Sequence, residues 1–91
     1  MKIWKFKLPS KKVTSFIIPH VNIHRVLHCG LQDGVPYFWA LAEKFEYSYP
    51  KHIHTLETGD EDPYWQRASC TFIGTILLDE GAYVLHYYLE Q

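Results

Sequence analysis

Asp33-Gly34 joins two apolar runs, Val-Leu-His-Cys-Gly-Leu-Gln before it and Val-Pro-Tyr-Phe-Trp-Ala-Leu-Ala after it, and nothing else in the 91-residue chain restricts its fold as strongly. Asp and Gly both tolerate the positive φ angles of a tight primed turn, so the pair predicts a β-hairpin. The following run is apolar at every position, with Tyr37, Trp39 and Leu41 on one parity and Phe38, Ala40 and Ala42 on the other. That pattern predicts a central strand covered on both faces, with Pro36 at its start or at an unpaired position because proline has no N–H for the ladder.

The rest of the chain repeats the β theme. Residues 3–8 alternate, placing Trp4, Phe6 and Leu8 on one face and Lys5 and Lys7 on the other. Turn chemistry at 9–12 precedes a β-branched and aromatic run at 13–18, and these first two strands are expected to pair as a hairpin. A third strand spans 23–31, with Ile23, Leu27, Cys29 and Leu31 inward and His24, His28 and Gly30 outward. The Asp33-Gly34 turn then leads into strand 37–43, followed by a short strand at 52–56. The segment 57–63 carries four acids with Gly59 and Pro63 and reads as an exposed loop. One helical turn is expected at 64–68, and strands 70–78 and 82–89 close a last hairpin over Asp79-Glu80-Gly81. Six or seven short antiparallel strands in a single domain, 1–91, indicate an all-β barrel or sandwich, which buries both sheet faces and limits open edges.

Hydrophobic residues form 47% of the chain and aromatics 16%, too apolar for disorder. No run approaches the roughly 20 residues that a membrane-spanning helix needs, and Met1-Lys2-Ile3-Trp4-Lys5 leads straight into patterned sequence. The expectation is a cytoplasmic protein with no membrane contact, its two cysteines, Cys29 and Cys70, reduced and buried. The net charge of −1 hides a polarity: residues 1–32 carry six Lys/Arg and no acid, while 33–91 carry three Lys/Arg against ten Asp/Glu. Strands from the two halves lying side by side would cancel this asymmetry, and cancellation is expected.

Several residue groups invite a chemical role. His52 and His54 alternate on one strand and could grip one metal with Cys29, Cys70 or His86 as a third ligand, but a catalytic zinc needs three convergent ligands and only two follow from the spacing. Neither a metal nor any other cofactor is therefore expected. Cys29 beside His28 falls short of a nucleophile–base pair, because adjacent strand residues face opposite sides. Lys2, Lys5, Lys7, Lys11 and Lys12 interleave with Trp4 and Phe6 like a nucleic-acid platform, yet alternation turns those two rings inward, so nucleic acid is not an expected partner. Tyr47, Tyr49, Tyr83, Tyr87 and Tyr88 exceed what a small core needs and suit a self-association face or a ligand pocket. The acidic loop with Tyr64 and Trp65 combines steering carboxylates with an apolar anchor, the division of labour found in interface hot spots.

The succession Val26-Leu27, Gln32-Asp33-Gly34-Val35-Pro36, Trp39-Ala40-Leu41, Thr58-Gly59, Phe72-Ile73-Gly74-Thr75 and Gly81-Ala82-Tyr83-Val84 with His86 resembles a family of short bacteriophage and prophage proteins that form a domain of unknown function. The resemblance covers 13–90. The chain departs from the family pattern in Asp33 where Asn is common, in an acidic and aromatic insertion at 61–67, and in its histidine density. The resemblance implies a phage accessory protein directed at the host and brings no catalytic residues. The resulting expectation is a non-enzymatic protein in the host cytoplasm that binds and modulates a host protein through Asp60, Glu61, Asp62, Tyr64 and Trp65. A binder of a small nucleotide-like ligand, or a minor virion or assembly component forming a homo-oligomer, are the alternatives.

Overall fold

The computed structural model describes residues 1–13, 16–18, 21–44, 50–61 and 69–90. Seven strands occur among them: β1 (Lys2–Lys7), β2 (Phe16–Ile18), β3 (Val21–Gln32), β4 (Val35–Lys44), β5 (Lys51–Glu57), β6 (Cys70–Leu78) and β7 (Tyr83–Glu90), with one 3-10 turn at Asp79–Gly81. The expected helical turn at 64–68 lies outside the described residues. Among the described residues, no helix is long and apolar enough to cross a membrane.

The strands form two antiparallel sheets, ordered β1-β4-β3 and β2-β5-β7-β6. The first is built on the predicted hairpin. Asp33 has φ 53° and Gly34 φ 78°, the double positive φ of a type I′ turn, whose twist matches the strands it joins. Phe6, Phe38, Ala40, Ala42, Ile53, Ile76, Leu85, Tyr87 and Leu89 belong to a single buried cluster, which makes the fold a sandwich. On one side β3 packs against β6, where Cys29 lies against Gly74.

The N-terminal hairpin expected between 3–8 and 13–18 does not form. β1 pairs with β4, from Lys2 opposite Ala42 to Lys7 opposite Tyr37, while β2 pairs with β5. The segment after β1 is instead a crossover between sheets, and its backbone groups explain why it is stable there. The Leu8 N–H donates to the Pro36 carbonyl at 2.9 Å. The buried Tyr87 hydroxyl donates to the Pro9 carbonyl at 2.7 Å, and the Tyr83 oxygen accepts from the Lys12 N–H at 2.9 Å. Thr55 Oγ1 accepts from the Val13 N–H at 2.9 Å and donates to the Val13 carbonyl at 3.2 Å. Side chains of the second sheet thus satisfy the polar groups that a hairpin ladder would otherwise pair. Two of the tyrosines that seemed surplus to a small core have this task.

Thr55 is 3% exposed, so its loss should be felt. Thr55→Val keeps the shape but strands the Val13 N–H, and about 1–3 kcal/mol of stability should be lost in urea titrations.

The expected inward set of β3 also needs correction. The β3–β4 register shifts between Ile23 and Arg25 and again between Val26 and His28. Each bulge adds a residue and reverses the parity, so Ile23, Val26 and Cys29 pack on the core while Leu27 turns out, 42% exposed. Strand β4 has one fully buried face, Phe38, Ala40 and Ala42, but its other face is only half-buried, contrary to the two-sided cover expected. Within the described strands the expected charge cancellation does not occur. Strands β1, β3 and β4 carry Lys2, Lys5, Lys7, Arg25 and Lys44 against Glu43, whereas β2, β5, β6 and β7 carry Lys51 against Glu57 and Glu90. Only the uncharged β2 crosses from the first half of the sequence into the second sheet, so the described strands stay segregated by charge.

Candidate functional site

Of the acidic-loop residues, Asp60 and Glu61 are described, whereas Asp62, Tyr64 and Trp65 lie outside the described residues. Glu61 is exposed. Asp60 turns inward on its own fold, its carboxylate accepting from the Glu57 N–H at 2.8 Å and pairing with Lys12 Nζ at 2.7 Å. The Lys12 hydrogen bond, followed by the Glu57 N–H, holds the Asp60 carboxyl below its ordinary value of 3.8. A depressed carboxyl stabilises the fold above its unfolded pKa and loses that contribution as pH falls through the folded one. An NMR titration should therefore place the Asp60 midpoint below 3.8, and Lys12→Ala should raise it.

The histidines disperse. His54 Nε2 lies 2.8 Å from Glu90 Oε2, and His24 Nε2 lies 3.0 Å from Glu43 Oε1. The His86 ring bridges two hydroxyls, Thr58 Oγ1 and Thr75 Oγ1, each at 2.8 Å. Among the described residues, no three His, Cys, Asp or Glu side chains gather where a metal could be held, so His52 and His54 find no third ligand there. Burial raises both thiol pKa values, although a backbone hydrogen bond from Thr75 partly offsets the effect at Cys29. Both sulfurs are free and half-buried rather than fully buried. Cys29 is directed at Gly74, whereas its neighbour His28 is on the opposite face of β3.

The outer face of the three-stranded sheet brings together residues far apart in sequence. The β1–β4 and β3–β4 registers stack three rungs on it: Ile3–Leu41–Arg25, Lys5–Trp39–His28 and Lys7–Tyr37–Gly30. Successive rungs are about 7 Å apart, two residues of an extended strand. The rings form a row, with His28 5.6 Å from Trp39 and Trp39 6.2 Å from Tyr37. Lys5 Nζ sits 4.5 Å from the Tyr37 ring centroid and donates to Gln32 Oε1 at 2.8 Å. In the third rung β3 offers only Gly30, over which the His28 imidazole lies, so β3 puts no side chain of its own opposite Tyr37.

The interleaved lysines and rings of β1 were visible in sequence, but the rings that share the lysine face come from β4. The apolar pattern of β4 predicts cover over Trp39 and Tyr37, and the structure leaves both half-buried. Their odd spacing, matched to Lys5 and Lys7, was the available signal, and it required the β1–β4 pairing to be interpreted. A groove of about 290 Å³ runs between β1 and β2 and is lined by Trp4, Phe6, Phe16 and Ile17 among others.

Fold and site together define a small all-β sandwich with a cationic, aromatic outer face. The chain belongs to the family described as a domain of unknown function (DUF7352), whose model matches residues 1–91. No curated protein and no solved structure matches it.

Proposed function

We propose that this protein is a non-enzymatic binding module of phage origin that acts in the host cytoplasm, and that it recognises its partner through the outer face of β1, β4 and β3. The observation that carries this reading is the row His28–Trp39–Tyr37 flanked by Lys5, Lys7 and Arg25 on a half-buried sheet face. Half-exposed aromatic rings beside cations are characteristic of recognition surfaces, and a sheet presents them with little conformational freedom left to lose on binding. The resemblance to phage accessory proteins supports the host as the source of the partner.

Affinity capture from host lysate tests the reading. Lys5→Glu/Lys7→Glu and Trp39→Ala should lose the partner that wild type retains, while Asp60→Ala/Glu61→Ala/Asp62→Ala and Trp65→Ala should keep it. The reverse pattern would move the contact to the acidic loop, and capture unaltered by any variant would remove both surfaces.

The groove between β1 and β2 supports a second reading, a small-ligand binder, because its volume approaches the lower end of ligand pockets and its walls are aromatic. A nucleotide that binds only the folded state should raise Tm in a thermal-shift screen.

A further inference from the structure

We infer that the outer face of β1, β4 and β3 is a binding site for single-stranded nucleic acid, with bases stacking on Trp39 and Tyr37 and phosphates held by Lys5, Lys7 and Arg25. The inference rests on the recognition role proposed for this face and names the chemistry of its partner.

Charge selects an anion. The outer face carries the cations Lys5, Lys7 and Arg25 against one carboxylate, Glu43, which is engaged with His24 at 3.0 Å. Position then selects a polyanion over a single phosphate group. Lys5 and Lys7 line the β1 side of the ring row two residues apart, and Arg25 stands on its β3 side one rung from Trp39. All three cations are exposed. They do not converge on a point, as a site for one phosphate would require, but follow the strands for about 7 Å per rung.

The rings select the rest of the ligand. Trp39 and Tyr37 occupy adjacent rungs of the central strand and are tilted 49° from one another with centroids 6.2 Å apart. Two successive unpaired bases on one backbone can meet two successive rings in this way, and stacking works for any base because each has a π-face. At the β3 position opposite Tyr37 the His28 imidazole lies over Gly30 and extends the ring row beside Trp39. The Lys5 ammonium over the Tyr37 ring is an exposed contact, readily exchanged for a phosphate as a base takes its place. Duplexes fit poorly, because their bases are stacked internally and a three-stranded sheet is wider than the two-stranded ribbon a major groove admits.

RNA and DNA share this chemistry, and the test separates them. Fluorescence anisotropy of the full chain should show saturable binding to labelled oligo-U or oligo-dT of about 15 nucleotides. With three phosphate contacts on a single strand, the log–log salt slope should be near −2, a loss of about 20-fold between about 50 and 200 mM salt. Trp39→Ala should weaken binding about tenfold or more, and Trp39→Phe, which keeps a ring and guards against a folding defect, should weaken it less. Lys5→Ala/Lys7→Ala, both at exposed positions, should reduce the slope to about −0.7. Lys51→Ala on β5 should leave affinity and slope unchanged.

Tighter binding to the RNA arm would assign RNA, and tighter binding to the DNA arm would assign DNA. Absence of saturable binding to either oligomer at low salt, duplex binding as tight as single-strand binding, or affinity indifferent to Trp39→Ala would overturn the inference. If oligomers do not bind while Lys5→Glu/Lys7→Glu still abolishes partner capture, the face remains a recognition surface and nucleic acid is excluded as its ligand. If capture is also unaffected, the broader reading fails with it.

Discussion

Phe38→Ala should lower the unfolding free energy by about 3–5 kcal/mol, the loss typical of an aromatic truncation in a core. Phe38 is 0% exposed, stands in the central strand of the first sheet and stacks on Phe6 with ring centroids 4.9 Å apart. A domain of this size has about 5–15 kcal/mol in total, so the variant should be partly unfolded at physiological temperature and its Tm lower by about 15–30 °C. Urea denaturation followed by circular dichroism measures the effect. The adjacent Trp39→Ala supplies the contrast: its ring is on the outer face, so it should cost less stability and more binding. If Trp39→Ala proved the more destabilising of the two, the assignment of the two faces of β4 would be wrong.

Gly74→Ala should also be strongly destabilising, by about 1–3 kcal/mol, although it adds only one methyl group. A Cβ at Gly74 would overlap Cys29 Sγ where β6 meets β3. The clash is between side chains of two sheets, which gives it a specific remedy. Cys29→Ala removes the sulfur, and the remaining Cys29 Cβ is 3.4 Å from the added carbon, so the double variant should recover the part of the loss due to the clash, while the strain of a side chain at φ 158° stays. A double-mutant cycle measured by thermal denaturation should give a coupling of about 1 kcal/mol or more, favourable in the pair. Additive losses would show that this side of the sandwich is not as close as the structure has it.

The two faces of the first sheet show how far pattern alone could be taken. Phe6 and Leu8 alternate with Lys5 and Lys7, and a two-residue period is all that is needed to assign them inward and outward. Strand β4 is harder, because both parities are apolar, and a strand roofed on both sides has the same sequence as one whose second face is a recognition surface. Strand β3 is harder again. Its two bulges leave no trace in the hydrophobic pattern, yet each reverses the parity of everything beyond it, so alternation alone points Leu27 inward where the structure packs Val26.

In the acidic loop carboxylates and rings are adjacent in sequence, which makes that combination visible without a structure. Trp39 lies far from Lys5 and Lys7 in sequence, so no local signal could join them. The Asp60 carboxylate, on the other hand, serves Lys12, far from it in the chain, and the Glu57 N–H.

What the amino-acid order settled unaided were the local matters: the β character of each run, the Asp33-Gly34 and Asp79-Glu80-Gly81 turns, and the inward set of β1. These depend on backbone φ preferences and on a two-residue alternation, and both act between neighbours. Strand partnership beyond the two turn-linked hairpins was settled only in three dimensions. The crossover at 9–13 could be stable only once Tyr83, Tyr87 and Thr55 of a distant sheet had met its N–H and carbonyl groups. That same partnership set lysines of β1 beside rings of β4, because the free energy of a sheet depends on what lies across the ladder as much as on what lies along the chain.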